Sequence, residues 1–213
     1  MSRPRVIIIG NSPVILQHEY GSVIDSFDTI IRINHCPTIG YESSIGSRTD
    51  VWSTTHQKFH PDFWPHNSTL AQVWTRTPTV GLKIPPDVDM SNTHIMTLLK
   101  CSQWKRGMTK AGKSFSSLCD PLKHEPCTGI ATILTSTQWD WDITIHGFTF
   151  YTESKNATGY YREGQLDEKG NHPEDRYWKK SDNDGFASIK EGTRRQKIID
   201  TLVNDGEIKI LKQ

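Results

Sequence analysis

No run of apolar residues in this 213-residue chain approaches the ~20 that a membrane helix needs; the longest, Val6 to Ile9, is the length of one short strand. The opening Met-Ser-Arg-Pro-Arg enters that run too early for a secretory leader. The expectation is a soluble, cytoplasmic protein without a membrane segment. Cysteine is scarce: Cys36, Cys101, Cys119 and Cys127 are too few and too scattered for a disulfide framework. No CxxC or HExxH spacing marks a metal site. Reduced thiols in a cytosol-like compartment follow. Net charge is nearly absent as well. With 25 Lys+Arg against 24 Asp+Glu, no global field draws the chain to nucleic acid or to an anionic membrane.

What remains is ordinary globular material, 34% hydrophobic and 23% charged, with seven Trp, six Tyr and seven Phe. No linker or internal repeat breaks residues 1–213, which read as one domain. Arg5 to Gly10 is a short buried strand ending on glycine, and Ser12 or Asn11 can cap a following helix with Pro13 at its first position, carrying Val14, Ile15 and Tyr20. Asp28 to Asn34 reads as a second strand, and Val51–Thr54, Ala71–Thr75 and His94–Leu98 as weaker ones. Ile130, Ile133, Leu134 and Thr137 share a helix face; Ile143 to His146 is a strand closed by Gly147. Ile198, Ile199, Leu202 and Val203 stripe a last helix, before a final strand from Glu207 to Leu211. Alternating strands and helices predict a mainly parallel α/β sheet covered on both faces. Residues 151–185 are polar and without periodicity, as expected of a lid.

Three places suit an anionic ligand. Gly10-Asn11-Ser12 ends a strand and opens a helix, offering free amides and a positive dipole end; read alone it is also an ordinary tight turn. Arg32 and Asn34 alternate along a strand and so face one side, with Asn34 at the end where open α/β sheets bind ligands; an edge-strand surface pair would look the same. Pro126-Cys127-Thr128-Gly129 opens a helix with a hydroxyl and an exposed amide, which a plain N-cap would also explain. Gly107 to Ser114 satisfies the P-loop pattern GxxxxGK[ST], yet Ser102 to Arg106 makes a poor strand to feed it. The expectation there is a basic, mobile loop that brushes an anionic substrate. The pairs Asp87/Asp89, Asp140/Asp142 and Asp182/Asp184 read as solvated loop acids rather than metal ligands.

Taken together, these pieces carry a resemblance. Val6 to Ser12, Gly21 to Asn34, Pro37 to Glu42 and Ile45 to Thr49 resemble the long sialyl motif of the sialyltransferases of glycosyltransferase family 29. Pro126 to Ile130, running to Ile143–Phe148, is similar to the family's short sialyl motif. The resemblance implies a single-domain, GT-A-like variant of a Rossmann-type sheet. It implies transfer of sialic acid from CMP-sialic acid to a glycan hydroxyl, with inversion and without a metal or other cofactor. By position, Gly10, Asn11, Ser12 and Asn34 would contact CMP; Cys127, Thr128 and Gly129 would hold the phosphate or the sugar carboxylate; Phe148 would line the cytidine side, with Tyr160 also at the donor.

The chain departs from the family at several points. The disulfide joining the two motifs is missing, its positions falling near Val6 and Asp140, and Cys127 stands where Ser or Thr is usual. The family's anchor and stem have no counterpart. Its His, followed five residues later by Glu, falls at Lys190 or Glu191, with Arg195 or Gln196 at the Glu position. Its other late histidine aligns near Tyr160-Tyr161 or Tyr177-Trp178, without a His in either register. Glu191 and His172 are the candidate bases, a carboxylate serving where burial raises its pKa toward neutrality. Two other classes compete: a CMP- or glycan-binding module that has lost transfer, and a P-loop kinase or ATPase built on Gly107–Ser114. A donor carrying another acidic sugar, such as Kdo, would look the same in sequence.

Overall fold

The computed structural model describes residues 2–34, 38–54, 70–75, 93–97, 106–123, 125–149 and 189–211. Strands β1 (Arg5–Ile9), β2 (Thr29–Ile33), β3 (Val51–Thr54), β4 (Gln72–Thr75), β5 (His94–Thr97), β6 (Asp142–His146) and β7 (Lys209–Ile210) form one sheet. Its order is β5-β4-β3-β2-β1-β6-β7, and each pairing is parallel. The helices are α1 (Gly21–Asp25), α2 (Glu42–Ile45), α3 (Phe115–Cys119), α4 (Thr128–Ser136) and α5 (Ile189–Asn204). This is the parallel α/β sheet that the alternating pattern predicts, with strand positions right to within a residue or two.

β1 runs Val-Ile-Ile-Ile without alternation because both of its faces are covered. Val6 and Ile8 join Ile31, Ile33, Ile143 and Ile145 in a core shared with α4 and α5. Ile7 and Ile9 pack on the other face with Ile15, Ile24, Ile30 and Ile45. Each buried aliphatic side chain stabilises by ~1.5–3 kcal/mol in transfer terms, so the two clusters fix which strands sit centrally.

Two local readings need correction. The segment after Ser12 is not an α-helix reaching Tyr20 but a 3-10 turn, Pro13–Gln17, ending at an extended His18. Pro13 favours helix entry, but the chain must turn again at once so that α1 packs on α2: a Cβ on Gly21 would lie 1.9 Å from the Glu42 carbonyl oxygen. Arg32 is also not a cation aimed at a ligand. β2 is a central strand, and Arg32 is fully buried on the face holding Ile7, Ile9 and Ile30. Its Nε donates to the Arg48 carbonyl (3.0 Å) and Thr49 Oγ1 (3.0 Å). Its Nη2 donates to the carbonyls of Ile45 (2.7 Å), Gly46 (3.3 Å) and Arg48 (2.9 Å). Asp25 holds the same turn from outside by accepting from the Ser47 and Arg48 amides at 2.9 and 3.1 Å.

Arg32→Met should therefore lower the unfolding free energy by about 3 kcal/mol, since carbonyls of the 45–49 turn lose charge-assisted donors. Urea denaturation of the two proteins measures the difference.

Candidate functional site

The order β5-β4-β3-β2-β1-β6-β7 reverses direction at β1/β6, and open α/β sheets bind ligands at the strand tips beside such a reversal. β1 and β6 end with their backbones in contact. The Gly10 amide donates to the His146 carbonyl (2.8 Å) and the Ser12 amide to the Gly147 carbonyl (3.0 Å). A Cβ on Gly10 would lie 2.2 Å from the Gly147 oxygen and 3.1 Å from the Phe148 ring. Only glycine fits at position 10.

Asn11 reaches across to β2, its Nδ2 donating to the Ile33 carbonyl at 2.6 Å, beside Asn34. Asn34 has φ +51°, a left-handed conformation that Asn tolerates better than most residues and that gathers at functional sites. Its backbone is tied down on both sides: its amide donates to the Ser53 carbonyl (2.8 Å), and its carbonyl accepts from Trp52 Nε1 (2.7 Å). Asn11 Oδ1 and Asn34 Oδ1 are buried and have no hydrogen-bond partner among the described residues.

The second wall is the N-terminus of α4. Thr132 Oγ1 donates to the Thr128 carbonyl (2.7 Å), so its contact with Ser53 Oγ (2.7 Å) takes the serine proton and pins α4 to β3. Cys127 occupies the N-cap position with no side-chain cap bond. A Cβ on Gly129 would lie 2.9 Å from the Phe148 ring and 3.8 Å from Cys127 Sγ. Gly10, Cys127, Gly129 and Phe148 thus lie against one another, and Asn11 reaches the end of β2 beside Asn34, at the strand tips where open α/β sheets form a ligand crevice. Burial, with smaller contributions from Cys127 and Asp120, pushes the Cys119 thiol up to about 12.

Glu191 stands at the N-terminal end of α5, the end that faces the strand tips. It is fully buried, and its Oε2 accepts from Arg194 Nη1 (2.9 Å) and the Lys123 amide (3.3 Å), while Oε1 faces Arg195 Nη2 at 3.9 Å. It ties α5 to the segment entering α4. Tyr160, His172 and the expected lid 151–185 lie outside the described residues, as do Asp87/Asp89 and Asp182/Asp184.

The loop Gly107–Ser114 does not brush a ligand at the crevice. It folds back on itself through a Met108–Ser114 bridge, with the Thr109 amide on the Lys113 carbonyl (2.9 Å) and the Gly112 amide on the Thr109 carbonyl (3.0 Å). The Ala111 amide donates to Glu207 (2.5 Å), and Lys113 pairs with Asp205 (2.7 Å). A P-loop needs such amides open to phosphate. Asp140 and Asp142, at the same N-terminal edge of the sheet, are ion-paired with Arg3 (2.7 Å) and Lys209 (2.7 Å).

Sequence reading passed over His146. At the tip of β6 it is 8% exposed, in edge contact with Tyr20 at 5.5 Å. Burial, then the nearby His18, lowers its pKa from 6.5 to about 4. A histidine ending a strand just before a glycine was the available signal.

The fold is that of an α/β protein of the doubly wound type. Comparison with known proteins narrows the class. Residues 3–67 match the sequence model of glycosyltransferase family 29 (sialyltransferase). The chicken (Gallus gallus) CMP-N-acetylneuraminate-beta-galactosamide-alpha-2,3-sialyltransferase 1 is 45% identical over 58 residues, 27% of this chain and 16% of the relative. The mouse (Mus musculus) protein of the same name is 24% identical over an alignment covering 98% of this chain and 59% of the relative. The crystal structure of a mammalian sialyltransferase in complex with Gal-beta-1-3GalNAc-ortho-nitrophenol shares the fold, with a TM-score of 0.57 at 19% identity over 100% of this chain and 70% of that one. Over residues 3–67 the chain is thus similar to the family 29 sialyltransferases, as its motifs imply, and it spans about 59% of the mouse relative's length. Among the described residues no helix is long and apolar enough to cross a membrane.

Stability should track the His146 proton. The folded state keeps His146 neutral down to about pH 4, whereas the unfolded chain protonates near 6.5. Stability is complete above 6.5 and falls as pH drops toward 4, by about 3 kcal/mol in all. Denaturation across that range should show this slope in the wild type and a shallower one in His146→Phe.

Proposed function

We propose that this protein transfers sialic acid, or a closely related acidic sugar, from its CMP-activated form to a glycan hydroxyl, with inversion and without a metal ion. The observation that supports the proposal is the Gly10-Asn11-Ser12 turn reaching to β2 beside Asn34, with Phe148 packed between Gly10 and Gly129 at the α4 N-terminus. A nucleoside monophosphate brings one phosphate, which a helix N-terminus with open amides can hold by its dipole. Thr128 and Gly129 supply that end, with the Phe148 ring against Gly129 on the cytidine side. Asn11 and Asn34 carry the amides for ribose or base. The solved relative's complex with a galactose-ended disaccharide supports a neutral glycan as the second substrate.

In the reaction, the acceptor oxygen attacks the anomeric carbon from the face opposite CMP. The bond to the phosphate oxygen breaks, CMP leaves with the electron pair, and a base takes the hydroxyl proton. Glu191 and His172 are the two groups proposed for that base. Both Glu191 oxygens are engaged by Arg194, Arg195 or the Lys123 amide, so taking a proton would disturb those contacts.

The test is CMP release from CMP-sialic acid by purified protein in EDTA, with and without galactose-ended acceptors. Release that rises with acceptor is the expected result; CMP binding without any release would favour a module that has lost transfer. Glu191→Gln should cost less than about tenfold in kcat but lower Tm, while His172→Ala should cost ~10²–10⁴-fold with CMP affinity unchanged. The reverse pattern would make Glu191 the base.

A further inference from the structure

A cavity of about 210 Å³ lies at the tips of β6 and β7, lined in part by Gly147 and Phe148. Nothing in the donor reading uses it. His18, Tyr20 and His146 line it together with Gln196 and Ile199 of α5 and Leu211, and Gly147 and Phe148 form a wall common to cavity and crevice. Among the described residues no Asp, Glu, Lys or Arg lines it. Its volume falls below the ~300–1,000 Å³ typical of pockets for drug-sized ligands, which suits a single ring. The lining is also of two kinds, imidazole and phenol rings on one side and aliphatic carbon on the other. His146 Nε2 is buried and has no hydrogen-bond partner among the described residues. Such a group costs free energy until something bonds to it.

We infer that this cavity receives one uncharged sugar ring, a hydroxyl of which bonds to His146 while its apolar face lies on the aromatic side chains. A pyranose presents that combination of CH face and hydroxyl rim. Among the described residues an anion finds no fixed cation here, and a purely apolar ring would leave the imidazole unpaired. Naming the ring as the terminal sugar of the acceptor rests on the transferase reading. The preference for a neutral ring does not. The shared Gly147-Phe148 wall places this ring next to the donor crevice, where an attacking hydroxyl belongs.

The probe is methyl β-galactoside, followed by saturation-transfer NMR with the full chain, alongside the rise in Tm that CMP produces. Wild-type protein should transfer saturation to the ring protons. His146→Phe should weaken that binding at least tenfold and keep the CMP-induced rise in Tm. His146→Gln, which restores a hydrogen-bonding atom, should recover part of the affinity. Equal binding by wild type and His146→Phe overturns the inference, and so does a wild-type protein that CMP stabilises but that takes no sugar. Sugar binding that depends on His146 in a protein that CMP does not stabilise would leave the cavity assignment standing and remove the donor reading. A folded protein that takes neither ligand removes both.

Discussion

The site depends on one backbone contact. Gly10 and Gly147 end adjacent parallel strands so closely that no side chain fits between them, the missing Cβ of Gly10 falling 2.2 Å from the Gly147 oxygen. That contact brings the turn after β1 and the turn after β6 to one point. The first carries Asn11 and Ser12. The second carries Phe148, whose ring meets Gly129 at the α4 N-terminus. Through these residues, three separate stretches of chain come together at the ends of β1 and β6. Phe148, which touches Gly129, also lines the histidine-rich cavity at the tips of β6 and β7.

Buried polar bonds keep the strands from shifting around that point. Arg32 grips the 45–49 turn beneath β2, and the relay from the Ser53 hydroxyl through the Thr132 hydroxyl to the Thr128 carbonyl fixes α4 to β3. Each is a buried polar group with specific partners, so sliding β2 or α4 by one residue would leave several donors and acceptors unsatisfied. Registers are therefore held by hydrogen bonds as well as by the aliphatic core. At the opposite edge of the sheet, Lys110, Lys113 and Lys209 are matched with Asp140, Asp205 and Asp142. At the tips of β1, β2 and β6 stand Gly10, Asn34 and His146.

Much of this was legible in the sequence because it follows from local rules. Val6 to Ile9 has no polar alternation, which marks a strand covered on both faces, and the glycines and caps at 10–12 and 127–129 mark strand and helix ends. Other features depend on distant partners and could not be read. Arg32 resembles a ligand-binding cation until the 45–49 turn is seen to enclose it. Gly107–Ser114 spells a P-loop, yet its amides answer to its own carbonyls and to Glu207, nearly a hundred residues away. His146 gave only the sign of a strand end, and its worth lies in neighbours from two other segments: His18 and Tyr20 on one, α5 on the other. Glu191 was found by counting, but its pairing with Arg194 and Arg195 shows only in the folded helix.

The central claim is that a CMP-sugar sits between the two asparagines and the start of α4. Calorimetric titration of CMP into wild type, Asn11→Ala and Asn34→Ala tests it most directly. The account predicts saturable one-to-one binding by wild type, weakened at least tenfold in each variant while the variants stay folded. CMP affinity that both substitutions leave unchanged would contradict it.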